Sequence, residues 1–433
     1  MTRSLLLTSL FSTLSLIAVA QSDSPLALYQ HPAIRYATTP PTDRIARLNA
    51  QLQSGAATLA FSPRGGYLKS VLDLLHVSTD SQLVVFSKTS LQSDLIAPKN
   101  PRALYFSDDV AVGWVRNAET LELAAQDRQQ GTIFYTLQQR AGGAPRFERS
   151  TDCLLCHLSP DTDSVPGFIM FSQYSIPTDQ YSYATGGPVD HRTPYNERWG
   201  GWFVTGKPSG RHLGNIIDLK GVEEAAKRPV RQLDTLAGEF DTSAYQTPFS
   251  DIAALMVLAH QGRMADMLTH VGWVARAAAR PAPPAPRPPA NGLNQRPPPP
   301  PAPDLDAVAA DVVDYMLFVD EAPLPGPVKA SGPFAQRFAG LGPRDKKGRS
   351  LRELDLQQRL LKYPCSYMIY SETFDALPPA AKQAIYAQLW RVLSGQATEP
   401  RYRRLSAADR QAILEILGET KPDLPASFRR SSG

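Results

Sequence analysis

The chain has 433 residues, of which 42% are hydrophobic, and a formal net charge of +4. This length predicts two or more folding units, and this composition is sufficient for a sizeable buried core. The small net charge and the absence of a basic stripe with interleaved aromatic residues give no indication of a nucleic acid partner. With only three cysteines, a four-thiolate zinc site is excluded.

Residues 1–20 have the pattern of an export signal. Arg3 precedes an apolar run from Leu5 to Val19, and Ala18-Val19-Ala20 fits the small-x-small rule for cleavage before Gln21. The run is too short and too rich in Ser and Thr to be a good membrane span. An uncleaved membrane anchor is the alternative to a cleaved signal. Because no later stretch has spanning length, we predict a periplasmic or otherwise exported protein with no transmembrane segment after cleavage.

The next part of the chain, residues 21–245, is predicted to be rich in strands. Apolar spacing predicts two short helices first, around Ile45–Leu52 and over Tyr67–His76. Between Gln82 and Leu137, short apolar runs alternate with turn residues, which is typical of an antiparallel meander. The predicted strands are Leu83–Phe86, Leu104–Phe106, Val110–Val115, Leu121–Ala125 and Thr132–Leu137.

The segment Cys153-Leu154-Leu155-Cys156-His157 has the Cys-x-x-Cys-His spacing at which c-type haem is attached. On one helical turn, positions i and i+3 share a face. Both sulfurs therefore reach one edge of the porphyrin, and His157 follows as the proximal iron ligand. Asp152 is predicted to cap this short helix. The following Ser159-Pro160 ends any helix early, which disfavours a thioredoxin-like motif. A Cys153–Cys156 disulfide remains the alternative.

Two later stretches have residues suited to covering a haem. The apolar run Gly167–Phe171 is a candidate wall, or equally an ordinary core strand. The segment Thr185–Asn215 is rich in glycine, aromatic residues and arginine, and it contains His191 and His212. Either histidine is a candidate distal iron ligand. The arginines of this segment are candidates to pair with the haem propionates, because guanidinium matches carboxylate geometry.

Methionine is the competing distal ligand, and a thioether ligand raises the reduction potential relative to histidine. Met170 is close to the motif in sequence, which counts against its crossing to the distal face. Met256, Met264 and Met267 lie on a predicted helix, where such residues usually belong to the core. An open sixth position is the third alternative.

The remainder of the chain is predicted to be mainly helical. A long helix is predicted within 246–280, over Asp251–Ala279, and residues 281–303 contain 12 prolines in 23 positions, which indicates a linker or an insertion. Residues 304–433 are predicted to form a helical C-terminal region. Its predicted helices are Val308–Val319, Leu351–Leu361, one that starts at Pro378-Pro379, and one that starts with a capping box at Ser406. The fold class is therefore α+β, with an antiparallel strand-rich N-terminal half that carries the haem motif and a mainly helical C-terminal half.

The motif at Cys153–His157 resembles that of the c-type cytochromes. The blocks Phe86–Gln92, Asn100–Phe106 and Arg198–Phe203 look like those of large bacterial exported proteins with a single haem. The resemblance implies haem c, one per chain and covalently bound, held by Cys153, Cys156 and His157. The chain has one attachment motif, which departs from the di-haem cytochrome peroxidases.

Three functional hypotheses follow. The first is an exported monohaem c-type cytochrome that transfers electrons to or from a redox partner protein or a small-molecule electron donor or acceptor. The second is a haem-dependent oxidoreductase, peroxidase- or oxidase-like, with an open distal site and His191 or His212 as acid–base group. The third is a haem-based sensor, or a subunit that docks to a larger redox complex through the Pro-rich segment.

Overall fold

The computed structural model describes residues 26–177, 185–280 and 303–429. The predicted export signal at 1–20 and residues 281–302 of the Pro-rich stretch lie outside the described residues. Within the described residues, no helix is both long and apolar enough to cross a membrane.

The N-terminal half contains a seven-stranded antiparallel sheet, which confirms the predicted meander and the α+β class. The strands are β1 Leu83–Val85, β2 Arg102–Phe106, β3 Val110–Trp114, β4 Thr120–Asp127, β5 Gly131–Gln138, β6 Glu148–Arg149, β7 Phe171–Gln173, β8 Gly186–Pro188 and β9 Trp202–Phe203. The spatial order in the large sheet is β6-β5-β4-β3-β2-β1-β9, and a separate two-stranded sheet pairs β7 with β8.

The two faces of the large sheet carry different side chains because neighbouring residues of a strand point to opposite faces. In β1, Val84 packs into one hydrophobic cluster, whereas Leu83 and Val85 pack into another. In β3, Val110 and Val112 join the first of these clusters. That face packs against the two N-terminal helices, and the opposite face is turned towards the C-terminal half.

The helices are mostly in the C-terminal half. They are α1 Leu26–Tyr29, α2 Arg44–Ser54, α3 Leu68–Leu74, α4 Leu154–His157, α5 Val222–Ala225, α6 Ile252–Ala279, α7 Leu305–Met316, α8 Phe334–Gly340, α9 Glu372–Asp375, α10 Pro379–Leu393, α11 Ala407–Thr420 and α12 Ala426–Arg429. The predicted helices near Ile45, Tyr67, Val308 and Pro378 are confirmed with small shifts of their ends. The capping box at Ser406 is also present.

The long helix α6 is buried on nearly all sides between the sheet and the C-terminal helices. Its N-cap, Asp251, accepts a hydrogen bond from the Ala253 amide at 2.8 Å. The second oxygen of the same carboxyl accepts from the Ser331 and Gly332 amides at 2.8 and 2.6 Å. Asp251 therefore starts the central helix and joins it to the loop before α8.

Replacing Asp251 with alanine is expected to destabilise the fold by about 3 kcal/mol. The change removes an N-cap, which costs roughly 0.5–2 kcal/mol, and it leaves two further amide groups without an acceptor in a buried place. Chemical denaturation of the Asp251→Ala variant measures this loss. The matched change Asp94→Ala, in a short surface turn, should leave the free energy of unfolding within 0.5 kcal/mol of its starting value, as is usual for surface sites (roughly ±0.5).

The predicted helix over Leu351–Leu361 is wrong. This segment folds back on itself, with an isolated bridge between Leu354 and Leu361. The Asp355 side chain accepts hydrogen bonds from the amides of Gln357 and Gln358 at 2.7 and 2.8 Å, and Leu356 has a left-handed backbone with φ of 55°. The aspartate offers the backbone a local turn that competes with the helix, although the apolar spacing is helical.

Candidate functional site

The Cys-x-x-Cys-His segment forms the single turn α4, which begins after Cys153 and ends at His157. The predicted early end of this helix is confirmed. The predicted cap by Asp152 is wrong, because Cys153 takes the N-cap position in a helical conformation and no side chain caps the turn. The amide of Asp152 instead donates to the Ser150 hydroxyl at 3.3 Å.

All three cysteines are thiols in the structure, and no disulfide joins Cys153 to Cys156. Cys153 is half-buried and Cys156 is exposed, whereas Cys365 is fully buried. Burial raises the pKa of the Cys153 thiol and raises that of Cys365 to about 12. The two motif thiols are thus accessible at one edge of a cavity, and the third is enclosed in the core.

The His157 imidazole is fixed by contacts with one loop and one strand. Its Nδ1 lies 2.9 Å from the carbonyl oxygen of Gly167. Because a carbonyl only accepts, Nδ1 carries the proton and donates. The Gly167 amide in turn donates to the His157 carbonyl at 3.0 Å, and the ring packs tilted against Phe134 at 4.8 Å between centroids. Burial lowers the pKa of His157. A neutral imidazole with Nδ1 engaged presents Nε2 to a metal.

Cys153, Cys156 and His157 all line one cavity of about 1190 Å³. This exceeds the roughly 300–1,000 Å³ that is usual for small-molecule sites. One side of the cavity is the α6-facing surface of the large sheet, where the side chains of Ala111, Gly113 and Ala124 are small. Ala111 and Ala124 present only methyl groups to the cavity, whereas the Arg102 guanidinium covers Gly113, where a Cβ would lie 2.4 Å from Nη2 of Arg102.

The opposite side of the cavity is formed by the run after the motif and by α6. Four residues of the run Gly167–Phe171 line it, namely Phe168, Ile169, Met170 and Phe171, and Phe171 also begins the short strand β7. The carbonyl of Phe171 accepts from the Trp202 indole at 2.8 Å, and the Met170 carbonyl accepts from the Val189 amide at 2.8 Å. These bonds hold the backbone of the wall, while its side chains give the cavity an apolar surface.

Three cations line the cavity, and two of them are paired. Arg102 forms an ion pair with Glu122 at 2.8 Å, and Arg263 forms one with Asp163 at 2.6 Å. Lys88 is exposed, and it has no acidic partner within 4 Å among the residues that the structure describes. Lys88 is therefore the cation best placed to pair with a carboxylate of a bound group.

The structure does not bring His191 to the cavity wall. Its ring is buried, with Nδ1 at 2.9 Å from Nδ1 of His260, and it stacks against Phe318 at 4.4 Å between centroids. His260 continues the chain of contacts to the Ser366 hydroxyl at 2.7 Å. Asp190, the neighbour of His191 in the sequence, lines the cavity, whereas His191 does not.

His212 is also buried away from the cavity. It packs edge-on against Trp199 at 5.4 Å between centroids, and neither of its ring nitrogens has a hydrogen-bond partner.

The arginines that were predicted to pair with the haem propionates also lie away from the cavity. Arg198 donates to the His191 carbonyl at 2.9 Å, and Arg211 donates to the Ala225 carbonyl at 2.6 Å. No residue of the group Arg192, Arg198 and Arg211 lines the cavity.

The buried histidines predict a loss of stability in acid. Burial lowers the pKa of His212 to about 4 and that of His260 to about 3, from an ordinary value of 6.5. Below pH 6.5 the unfolded chain therefore binds protons that the folded chain does not, so the free energy of unfolding falls as the pH falls towards 4. His212 alone contributes on the order of 3 kcal/mol of this loss.

Denaturation between pH 7 and 4 checks this prediction. His212→Phe should make the acid limb less steep, whereas the same measurement on His76→Gln, at an exposed site, should reproduce the unchanged chain. If stability fell equally with pH in all three proteins, the loss of stability in acid would not come from His212.

The sequence interpretation disfavoured Met170 and did not single out Lys88, Arg263 or Asp266 as site residues, although all four line the cavity. Met170 is 8% exposed and lines the cavity, whereas Met256, Met264 and Met267 belong to the core around α6. Among the described residues, the cavity lining contains no methionine other than Met170 and no histidine other than His157. Ala111 and Gly113, at alternate positions of β3, were a signal in the sequence that one face of this strand carries small residues.

Comparison of the chain with protein-family models, with curated proteins and with solved structures gives no match in any of the three. The residues of the cavity are therefore the basis for the function proposed below.

Proposed function

We propose that this chain is an exported monohaem c-type cytochrome that transfers electrons through one covalently bound haem c. The observation that carries the proposal is that two accessible thiols and one metal-competent imidazole, in Cys-x-x-Cys-His spacing, line the same cavity. Covalent attachment of this haem takes place outside the cytoplasm, which accords with the export signal predicted at 1–20. When bound, the haem supplies an iron that accepts and releases one electron.

The residues present fit this group. Cys153 and Cys156 are not joined by a disulfide, and both line the cavity beside His157, where they would hold the haem through thioether bonds. His157 is neutral and held by Gly167 with its Nε2 available, as expected for a proximal ligand. The cavity combines an apolar wall with small residues on the sheet, and Lys88 at the rim offers a charge for a propionate.

We further propose that Met170 would hold the iron together with His157 when the haem is bound. Its thioether is the one soft donor besides the motif itself on the described cavity wall, and its backbone is fixed by the bond to Val189. His191 and His212 were the sequence-based candidates, and both would have to leave buried positions in aromatic clusters to reach the cavity. The buried residues around the site would exclude water from the bound haem.

A haem-dependent oxidoreductase is the second candidate function. The size of the cavity favours it, because about 1190 Å³ is more than one bound group usually needs. Asp190 on the cavity wall would be a candidate acid–base group. This function requires a sixth position that is open to a small molecule.

Oxidised and reduced absorption spectra test the proposal. The protein, purified from a host that matures c-type haem, should show haem bands that interconvert reversibly on chemical reduction and oxidation. The colour should remain with the polypeptide after denaturation. A colourless polypeptide would contradict haem attachment, and rapid binding of CO by the reduced protein would favour the oxidoreductase.

A further inference from the structure

Asp266 is a buried acid that contacts the loop after the haem motif. It lies on α6, is 1% exposed and lines the cavity. Its Oδ1 accepts a hydrogen bond from the Phe168 amide at 2.9 Å, and its Oδ2 has no hydrogen-bond partner. Burying a carboxyl with one oxygen that lacks a hydrogen bond costs free energy of folding, which indicates a role for Asp266 beyond packing.

The peptide group between Gly167 and Phe168 joins Asp266 to His157. Its carbonyl accepts from His157 Nδ1 at 2.9 Å, while its amide donates to Asp266. The carbonyl and amide of one peptide are conjugated, and hydrogen bonds in a chain polarise one another. Electron density that the carboxyl supplies at the amide therefore reaches the carbonyl that holds the imidazole.

The glycine at position 167 is part of this arrangement. A Cβ on Gly167 would lie 2.2 Å from Asp266 Oδ1, which is less than the contact distance of two heavy atoms. The absence of a side chain lets the backbone lie directly on the carboxyl. The loop is thus packed onto α6 at the one peptide group that also contacts His157.

We propose that Asp266 is a positioning residue that fixes the His157 imidazole through the Gly167–Phe168 peptide and makes the reduction potential of the iron depend on pH. This inference rests on the proposed haem site. An ionised Asp266 strengthens the electron donation of His157 and stabilises the oxidised iron, so the potential falls as Asp266 loses its proton.

The surroundings of Asp266 decide the pH at which it ionises. Burial raises the pKa of Asp266 well above its usual range, and the nearby guanidinium of Arg263 acts in the opposite direction. Asp163, from the loop after α4, is a second acid that faces it, and Tyr315 faces it from α7. The wild-type potential should therefore be highest in acid and should fall as the pH rises.

Asp266→Asn tests the proposal, because an amide oxygen can still accept from the Phe168 amide but the side chain cannot ionise. The variant should attach haem as the wild type does. Its potential should be independent of pH and higher than the wild-type value in alkali. We expect about a tenfold change in the equilibrium constant for reduction, which is about 59 mV for one electron.

Asp314→Asn is the matched control. Asp314 is also a buried carboxyl, bonded to the Tyr402 hydroxyl at 2.7 Å, but it does not line the cavity. This variant should keep the wild-type potential at every pH even if it is less stable. Wild-type potentials and pH dependence in Asp266→Asn would overturn the proposal, because a purely structural anchor would lower stability alone.

A second variant covers the case in which Asp266→Asn does not fold. Arg263→Gln keeps the carboxyl and removes the cation that faces it, so the midpoint of the pH dependence should move to higher pH. An unmoved midpoint would overturn the proposal. A wild-type protein without covalent haem would instead refute the proposed function, so the two failures are distinguishable.

Discussion

Replacing Cys153 and Cys156 together with serine is expected to abolish covalent haem attachment. Both sulfurs lie at the edge of the cavity that His157 lines, and serine offers no thiol for a thioether bond. The loss should be complete, because no other cysteine lines the described part of the cavity. The measurement is the haem that stays with the denatured polypeptide, produced in a host that matures c-type haem.

Cys365→Ala is the matched control for this experiment. Cys365 is a cysteine of the same chain, but it is fully buried in the core of the C-terminal half. The control should retain haem at the wild-type level, although removing a buried sulfur costs some stability. Haem retained by the double serine variant, or lost equally by Cys365→Ala, would contradict the assignment of the motif.

Replacing Met170 with leucine is expected to open the sixth coordination position. Leucine nearly conserves the volume, so the change should cost less than about 1.5 kcal/mol of stability. The reduced variant should bind CO, whereas the wild type with a thioether bound should not. The potential should also fall, because a methionine ligand raises it.

Met264→Leu separates ligation from packing. Met264 is a fully buried methionine of α6 that does not line the cavity, so its replacement should leave CO binding and the potential unchanged. CO binding by the wild type itself would mean that Met170 is not a ligand, and the oxidoreductase would then be the better account. Six-coordinate spectra in Met170→Leu would direct attention back to His191 and His212.

The parts of the fold that local signals specify were predictable from the sequence. The meander follows from short apolar runs that turn residues separate between Gln82 and Leu137. The long helix follows from the Asp251 cap and a continuous apolar segment. The segment Leu351–Leu361 shows the limit, because a single Asp355 turn outweighs a helical apolar pattern.

The proximal half of the candidate site was predictable because its residues are adjacent in sequence. The distal half depends on tertiary packing, which the sequence does not show. His191 and His212 have the right chemistry, yet aromatic neighbours enclose them. Met170 was discounted for its closeness to the motif, but the extended backbone after Gly167 carries it along the cavity wall. Asp266 is 98 residues from Phe168 along the chain, so no local pattern connects them.

Counting the free thiols of the purified protein decides whether Cys153 and Cys156 carry covalent haem. The protein is denatured, treated with an alkylating reagent and digested, and the fragments are weighed by mass spectrometry. We expect one added haem on the fragment that contains Cys153 and Cys156, neither of them alkylated, and an alkylated Cys365. Alkylation of all three cysteines, with no added haem mass, would contradict this expectation.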